Sequence, residues 1–116
     1  GDVKMRGCDG TMRAIFGSTT TYVDVDDCDY ANSSPVLTAS GYTNVLKLTN
    51  NRLDGGASSA ITATGTFEAH VLNNTIKAGS VGLSTAVQGI IAGNRWPAAT
   101  LPAPGTKMIV ANNVAI

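Results

Sequence analysis

An alternation of apolar and polar residues recurs six times along the chain and predicts six equivalent β-strands. The six segments read VKMRGC, VDVDDC, LKLTNN, AHVLNN, GIIAGN and MIVANN. They close on Cys8, Cys28, Asn51, Asn74, Asn94 and Asn113, at spacings of 20, 23, 23, 20 and 19 residues. A period near twenty with strand-like alternation is typical of a solenoid, in which each repeat contacts only its neighbours.

Three columns of residues emerge when the segments are aligned on their closing residues. The first is Val3, Val23, Leu46, Ala69, Gly89 and Met108, and the second is Met5, Val25, Leu48, Val71, Ile91 and Val110. Both are apolar or glycine, as expected for alternate residues of strands that face one core. The third column lies two residues beyond each segment and predicts a second strand after a sharp bend: Gly10, Tyr30, Leu53, Ile76, Trp96 and Ala115.

Further short apolar stretches predict another strand in each repeat: 12–16, 35–39, 60–63, 81–83 and 101–103. Loops are expected where glycine and proline collect, at Gly55-Gly56, at Gly79-Ser80, before Pro35 and over 97–105. Helical spacing is absent, and Val, Thr, Ile, Gly and Asn are too frequent for helices. The period runs from end to end, so 1–116 is predicted to be one domain. Because solenoids need caps and no amphipathic cap is present, the domain is expected to be a fragment or the C-terminal domain of a longer chain, with a domain sealed by partners as the alternative.

Asparagine at the bend has a physical explanation. A tight corner between strands requires a left-handed backbone conformation, which asparagine tolerates better than most residues. Side-chain amides stacked one repeat apart can also bond to each other and so satisfy buried polar groups. A structural ladder is therefore predicted at Asn51, Asn74, Asn94 and Asn113.

The strand-Asn-Asn-x-aliphatic phrase in LTNNRL, VLNNTI and VANNVAI resembles that of the pectate-lyase-like superfamily. The resemblance implies a right-handed parallel β-helix of about five to six coils; the right-handed crossover rule favours the same hand. The first two coils depart from the pattern, with Cys8 and Cys28 in place of the ladder asparagine. The superfamily includes polysaccharide lyases and hydrolases, phage tailspikes and bacterial adhesins, so the likeness concerns architecture more than chemistry.

The charge of the chain is low and balanced. Charged residues make up 14% of the sequence and the formal net charge is zero. Nucleic-acid binding needs clustered lysine and arginine, and binding to an anionic membrane surface needs a polybasic segment. No apolar run approaches the roughly 20 residues that span a bilayer. The composition therefore predicts no nucleic-acid partner and no membrane insertion.

Two cysteines stand at the same position of adjacent repeats. Parallel strands lie about 4.8 Å apart, which falls within the Cα separations that a disulfide accepts. Two reduced thiols acting as small apolar side chains are the favoured interpretation, and a disulfide is the alternative.

Outward positions on the first strand change character along the repeats. One outward column reads Lys4, Asp24, Lys47, His70, Ile90 and Ile109, and its neighbour reads Arg6, Asp26, Thr49, Leu72, Ala92 and Ala111. The first repeats carry opposite charges in adjacent strands, as suits a solvated face. The last three predict an apolar patch, and such patches usually mark contact surfaces. A subunit interface is therefore predicted at Leu72, Ile90, Ala92, Ile109 and Ala111, with a covering loop as the alternative. The resemblance to tailspikes implies a homotrimer.

Glycan cleavage would require two carboxylates about 5–10 Å apart. Asp24 and Asp26 should lie roughly 7 Å apart on one strand, which makes them the candidate catalytic pair. Pairing with Lys4, Arg6 and Lys47 is the favoured interpretation. His70 is the only histidine and has no carboxylate in a matching pattern. No metal site or cofactor is predicted.

Glycan binding needs aromatic platforms and hydrogen-bonding side chains. Tyr22 and Tyr42, expected in turns, and Arg52 and Arg95, each one residue after a ladder asparagine, are the candidates, with Lys77 nearby. Tyr30 and Trp96 are expected to be buried. In a lyase resembling pectate lyases an arginine would serve as the base, but the calcium-binding acid cluster of that family is not recognisable.

The sequence thus predicts a structural and receptor-binding β-helix of a phage tailspike or tail fibre, located in the virion tail or outside the cell, with cell-surface polysaccharide as its ligand. A polysaccharide lyase or glycoside hydrolase is the main alternative, and enzymatic activity is not favoured for this segment. An ice-binding or adhesin solenoid ranks last, because the threonines do not repeat in one column.

Overall fold

The computed structural model describes residues 2–10, 14–16, 22–31, 37–39, 45–63, 67–83, 86–96 and 107–115. The fold is all-β, as predicted, and its strands are paired in parallel. The described residues form fourteen strands: β1 (Asp2–Arg6), β2 (Asp9–Gly10), β3 (Ala14–Phe16), β4 (Tyr22–Asp26), β5 (Asp29–Ala31), β6 (Leu37–Ala39), β7 (Val45–Thr49), β8 (Arg52–Ala63), β9 (Phe67–Leu72), β10 (Thr75–Gly82), β11 (Ala86–Ala92), β12 (Arg95–Trp96), β13 (Lys107–Ala111) and β14 (Val114–Ala115).

The six alternating segments form a six-stranded sheet in the order β1-β4-β7-β9-β11-β13. Val3 pairs with Val23, Val23 with Leu46, and Leu46 with Ala69. The column continues through Gly89 to Met108, so the predicted register is confirmed from the first strand to the last. Because the side-chain period of a strand is two, a slip of one residue would move the whole apolar set to the opposite face.

The second strand of each repeat lies in an eight-stranded sheet, along the path β2-β5-β8-β10-β12-β14 with β3 and β6 beside it. Loops predicted at Gly55-Gly56 and Gly79-Ser80 are absent, and this prediction was wrong. Both glycine sites lie within strands, β8 and β10, whose pairing shifts register between Ile76 and Val81. Positive φ angles at Gly56 and Gly79 let the chain bend without ending the strand.

One apolar core joins the inward residues of both sheets. Val25, Leu48 and Val71 of the six-stranded sheet are fully buried, and so are Leu53 and Ile76 of the eight-stranded sheet. Since these side chains face the shared core, the remaining alternate residues of the strands lie on the outer faces.

Hydrogen bonds between side chains connect the four asparagines. Asn51 Nδ2 donates to Asn74 Oδ1 at 3.0 Å, Asn74 Nδ2 to Asn94 Oδ1 at 2.9 Å, and Asn94 Nδ2 to Asn113 Oδ1 at 2.9 Å. Each of these Oδ1 atoms also accepts the backbone N–H of the preceding asparagine. The amides therefore satisfy backbone groups at the bend that would otherwise be buried without a partner.

The left-handed conformation predicted for the bend lies one residue before the closing residue. Positive φ angles of 54–68° occur at Gly7, Asp27, Asn50, Asn73, Gly93 and Asn112. The two asparagines of the Asn-Asn phrase thus have different tasks. The first adopts the left-handed backbone, and the second directs its amide into the column.

Candidate functional site

The charged end of the outer six-stranded face is organised around Arg6. Its Nη1 lies 2.8 Å from Asp26 Oδ2, and its Nη2 lies 3.4 Å from Asp24 Oδ2. The second oxygen of Asp26 accepts hydrogen bonds from Thr49 Oγ1 at 2.8 Å and Asn50 Nδ2 at 3.3 Å. The favoured pairing with Arg6 is thus present. Lys4 and Lys47 occupy the positions in register with Asp24 on either side.

Hydrogen bonding holds Asp26 in its ionised form. The bond from Thr49 lowers the pKa of Asp26 most. Burial has the next largest effect and opposes it, but the bond from Asn50 and the charges of Arg6 and Lys47 lower the pKa further. A carboxylate engaged in this way is a poor proton donor, so the geometry does not equip Asp26 as the general acid that glycoside hydrolysis requires.

Asp24 is buried, contrary to the expectation of a solvated outward side chain. Only 4% of the residue is exposed, and among the described residues Asp24 Oδ1 has no hydrogen-bond partner. Alternation correctly placed it on the outer face with Asp26, but alternation fixes only the direction of a side chain and not what covers it. A substrate would have to displace this cover to reach the carboxylate.

The apolar end of the same face comprises the five residues of the predicted subunit interface. His70, Ile90 and Ile109 are in register on β9, β11 and β13, and Leu72, Ala92 and Ala111 are in register beside them. Ile109 is 60% exposed, whereas Leu72, Ile90, Ala92 and Ala111 are half-buried. The face therefore runs from ion-paired side chains on β1 and β4 to aliphatic ones on β11 and β13.

A carboxylate beside His70 was missed from the sequence. His70 Nε2 lies 3.5 Å from Glu68 Oε1, and both side chains are half-buried. Residues i and i+2 of a strand face the same side, so the spacing Glu68-x-His70 was the available signal. Gln88 Nε2 also donates to Glu68 Oε1 at 3.5 Å, which leaves the pair anchored to the next strand.

The outer side of the eight-stranded sheet carries a column with two arginines, named the basic column, which begins with the acidic residues Asp9 and Asp29. Asp29, Arg52, Thr75, Arg95 and Val114 are in register on successive strands. Arg52 and Arg95 are exposed, and within the described ranges neither forms an ion pair. Lys77, two residues after Thr75, is also exposed. The structure thus places the two arginines proposed for glycan binding in one column, with the strand of Thr75 between them.

Tyr22 does not lie in this column. Tyr22 opens β4 on the other sheet and is half-buried, so its predicted place in a turn was wrong. Tyr42 lies outside the described residues. Burial of Tyr30 and Trp96 is confirmed, at 0% and 2% exposure, and burial raises the pKa of the Tyr30 hydroxyl.

Among the described residues, no three His, Cys, Asp or Glu side chains converge to hold a metal ion. That part of the chain also contains no helix with the length and apolar character needed to cross a membrane. No protein-family model, curated protein or solved structure matches this chain.

Proposed function

We propose that the chain is a right-handed parallel β-helix of the pectate-lyase-like kind, with an asparagine ladder. The pairing of each strand with its counterpart about 20 residues away supports this architecture, since consecutive repeats then lie side by side. The bonded column from Asn51 to Asn113 supports it as well. The right hand follows from the general preference of parallel strand connections.

The proposed function is structural and receptor-binding, as in a phage tailspike or tail fibre in the virion tail. The observation that carries it is the change along the outer six-stranded face. Arg6 of β1 forms ion pairs with Asp24 and Asp26 of β4, whereas β11 and β13 present Ile90, Ile109 and two alanines. A contiguous aliphatic patch favours contact with another protein surface. We assign it to a homotrimer in which three chains pack along this face.

Sedimentation or light scattering at several concentrations tests the assembly. The variant Ile109→Asp introduces a charge at a 60% exposed position and should leave the fold intact, but it should weaken association roughly tenfold or more. Val114→Asp is the matched control, because Val114 is 53% exposed on the other sheet. A wild-type chain that stays monomeric at high concentration, or equal behaviour of both variants, contradicts the proposed trimer.

A cell-surface polysaccharide is the proposed ligand, and the basic column is its proposed contact. Arg52 and Arg95 are exposed, lack ion-pair partners among the described residues, and flank Thr75. Guanidinium groups bind carboxylates and sulfates with two parallel hydrogen bonds, so an anionic glycan suits them best.

Binding of the double variant R52A/R95A to immobilised polysaccharides should fall sharply. The control Lys107→Ala removes an exposed charge from the other sheet and should bind normally; equal loss in both would contradict this contact.

A further inference from the structure

The two cysteines occupy equivalent positions in adjacent repeats. In the strand register, Arg6 lies beside Asp26 just before the cysteines, and Asp9 lies beside Asp29 just after them. The register therefore places Cys8 beside Cys28 at the parallel-strand spacing of about 4.8 Å. This separation lies within the roughly 4.4–6.8 Å between Cα atoms that a disulfide requires.

Hydrogen bonds hold both thiols in the same orientation. Cys28 Sγ donates to Asp26 O at 3.4 Å, and Cys8 Sγ donates to Arg6 O at 3.6 Å. Cys28 Sγ also accepts the backbone N–H of Cys8 at 3.4 Å. The Cys28 sulfur thus already contacts the repeat that carries Cys8, and both are free thiols in this structure.

We propose that Cys8 and Cys28 form an oxidation-dependent disulfide that joins the first repeat to the second. The oxidant belongs to the class of small disulfides, with oxidised glutathione as the example. The half-buried Cys8 attacks as a thiolate, forms a bond to one glutathione sulfur and releases the other as glutathione thiolate. Cys28 then loses its proton to solvent and attacks Cys8 Sγ, which releases the second glutathione. Two protein thiols are oxidised and one disulfide is reduced.

The order of the two steps follows from burial. Cys28 is 2% exposed, and burial raises the pKa of its thiol, so it is protonated at neutral pH and shielded from the oxidant. Cys8 is the more accessible of the two. After a mixed disulfide forms on Cys8, the neighbouring Cys28 sulfur displaces glutathione within the same molecule.

The test treats the folded 116-residue chain with oxidised glutathione at neutral pH. The intact mass should fall by two hydrogens, both thiols should become unreactive to alkylation, and peptide mapping should recover Cys8 linked to Cys28. The bridge closes a loop between two repeats, so the thermal midpoint should rise by about 10 °C and return on reduction. The variants Cys8→Ser and Cys28→Ser should show no such rise.

Three outcomes would overturn the proposal. They are persistence of both free thiols, stable glutathione adducts without the internal bridge, and covalent dimers joined through Cys8. All are read from the wild-type chain, so the test does not depend on how well the serine variants fold.

Discussion

Each buried asparagine of the column satisfies polar groups of two repeats at once. Asn74 Oδ1 accepts from the backbone and side chain of Asn51, and Asn74 Nδ2 donates to Leu48 O at 2.9 Å and to Asn94 Oδ1. The residue is 1% exposed. Water cannot replace these bonds without opening the bend, so the column stabilises the fold chiefly because its loss would leave several buried groups unpaired.

Asn74→Ala should therefore lower the free energy of unfolding by about 3 kcal/mol, since an unpaired buried group costs about 1–3 kcal/mol. Urea denaturation measures the change. The control Asn73→Gly alters the exposed, left-handed residue beside it, where glycine is tolerated. This variant should lose much less of the free energy of unfolding. Similar losses in the two variants would argue against the amide column as the source of stability.

Gly89 interrupts an otherwise aliphatic column for a steric reason. A Cβ at this position would lie 1.9 Å from Ala69 O, and the φ angle is 123°. Gly89→Ala should destabilise the protein by about 3 kcal/mol or prevent folding, because backbone would have to move in the core. Gly82→Ala is the control, since its Cβ would meet Ile61 O at 3.4 Å with no left-handed strain. Equal thermal midpoints for both variants would contradict this account.

At the scale of residues, several details could not be predicted from the sequence. The alternation placed Asp24 on the outer face but gave no sign of its burial, because covering groups come from elsewhere in the chain. In the phrase Asn-Asn the first residue is left-handed, and the available signal, glycine at the aligned positions 7 and 93, was missed. Glycine at position 89 was visible, but the close approach of Ala69 O was not.

At the scale of elements, side chains link the first three strands of the six-stranded sheet. Arg6 of β1 and Thr49 of β7 both bond to Asp26 of β4. Cross-strand pairs of this kind are the unit by which sheets are stabilised beyond their backbone bonds. This group therefore makes the charged end of the sheet sensitive to the ionisation of one carboxyl.

Stability should fall in acid because of this carboxyl. The folded-state pKa of Asp26 lies below its usual value of 3.8. The contribution of Asp26 to the free energy of unfolding is therefore complete above pH 3.8, and it is lost as the pH falls through the folded-state pKa. Urea midpoints measured from pH 6 down to pH 2 should fall less steeply for Asp26→Asn than for the wild type. Asp29→Asn, at an exposed position without an ion pair among the described residues, should follow the wild type. Superimposable profiles for Asp26→Asn and wild type would contradict the prediction.

Strand register could be predicted for a physical reason: a period of two with one buried face admits a single alignment, and Val3 to Met108 obey it. The ends of the strands could not be predicted. Glycine pairs signal a break in pairing, yet Gly55-Gly56 and Gly79 bend continuing strands, because the neighbouring strand supplies hydrogen bonds on either side of the bulge.

The whole molecule is held together by contacts between neighbouring strands. In the described residues, β7 and β9 have partners on both sides in the six-stranded sheet, whereas β1 and β13 each pair with one strand. Where interactions run only between neighbours, opening begins at the strands with fewest partners. Hydrogen exchange should therefore be slowest at Leu48 and Val71 and faster at Met5 and Val110. Uniform protection across these four amides would contradict nearest-neighbour stability.

At the scale of the whole molecule, the sequence indicated the fold more clearly than the function. The columns identified an aliphatic face at Ile90 and Ile109 and exposed arginines at 52 and 95, and the structure places each set on one surface. What occupies those surfaces depends on partners that neither alternation nor register encodes.

The asparagine column also has an electrical direction. Each Oδ1 accepts from the asparagine before it in the chain, so the carbonyl dipoles of Asn74, Asn94 and Asn113 point the same way and add. Their negative end faces Asn51, whose own Oδ1 accepts the backbone N–H of Cys28 at 3.0 Å. Such a row acts as a weak counterpart of a helix dipole: it favours negative charge near Asn113 and disfavours it near Cys28.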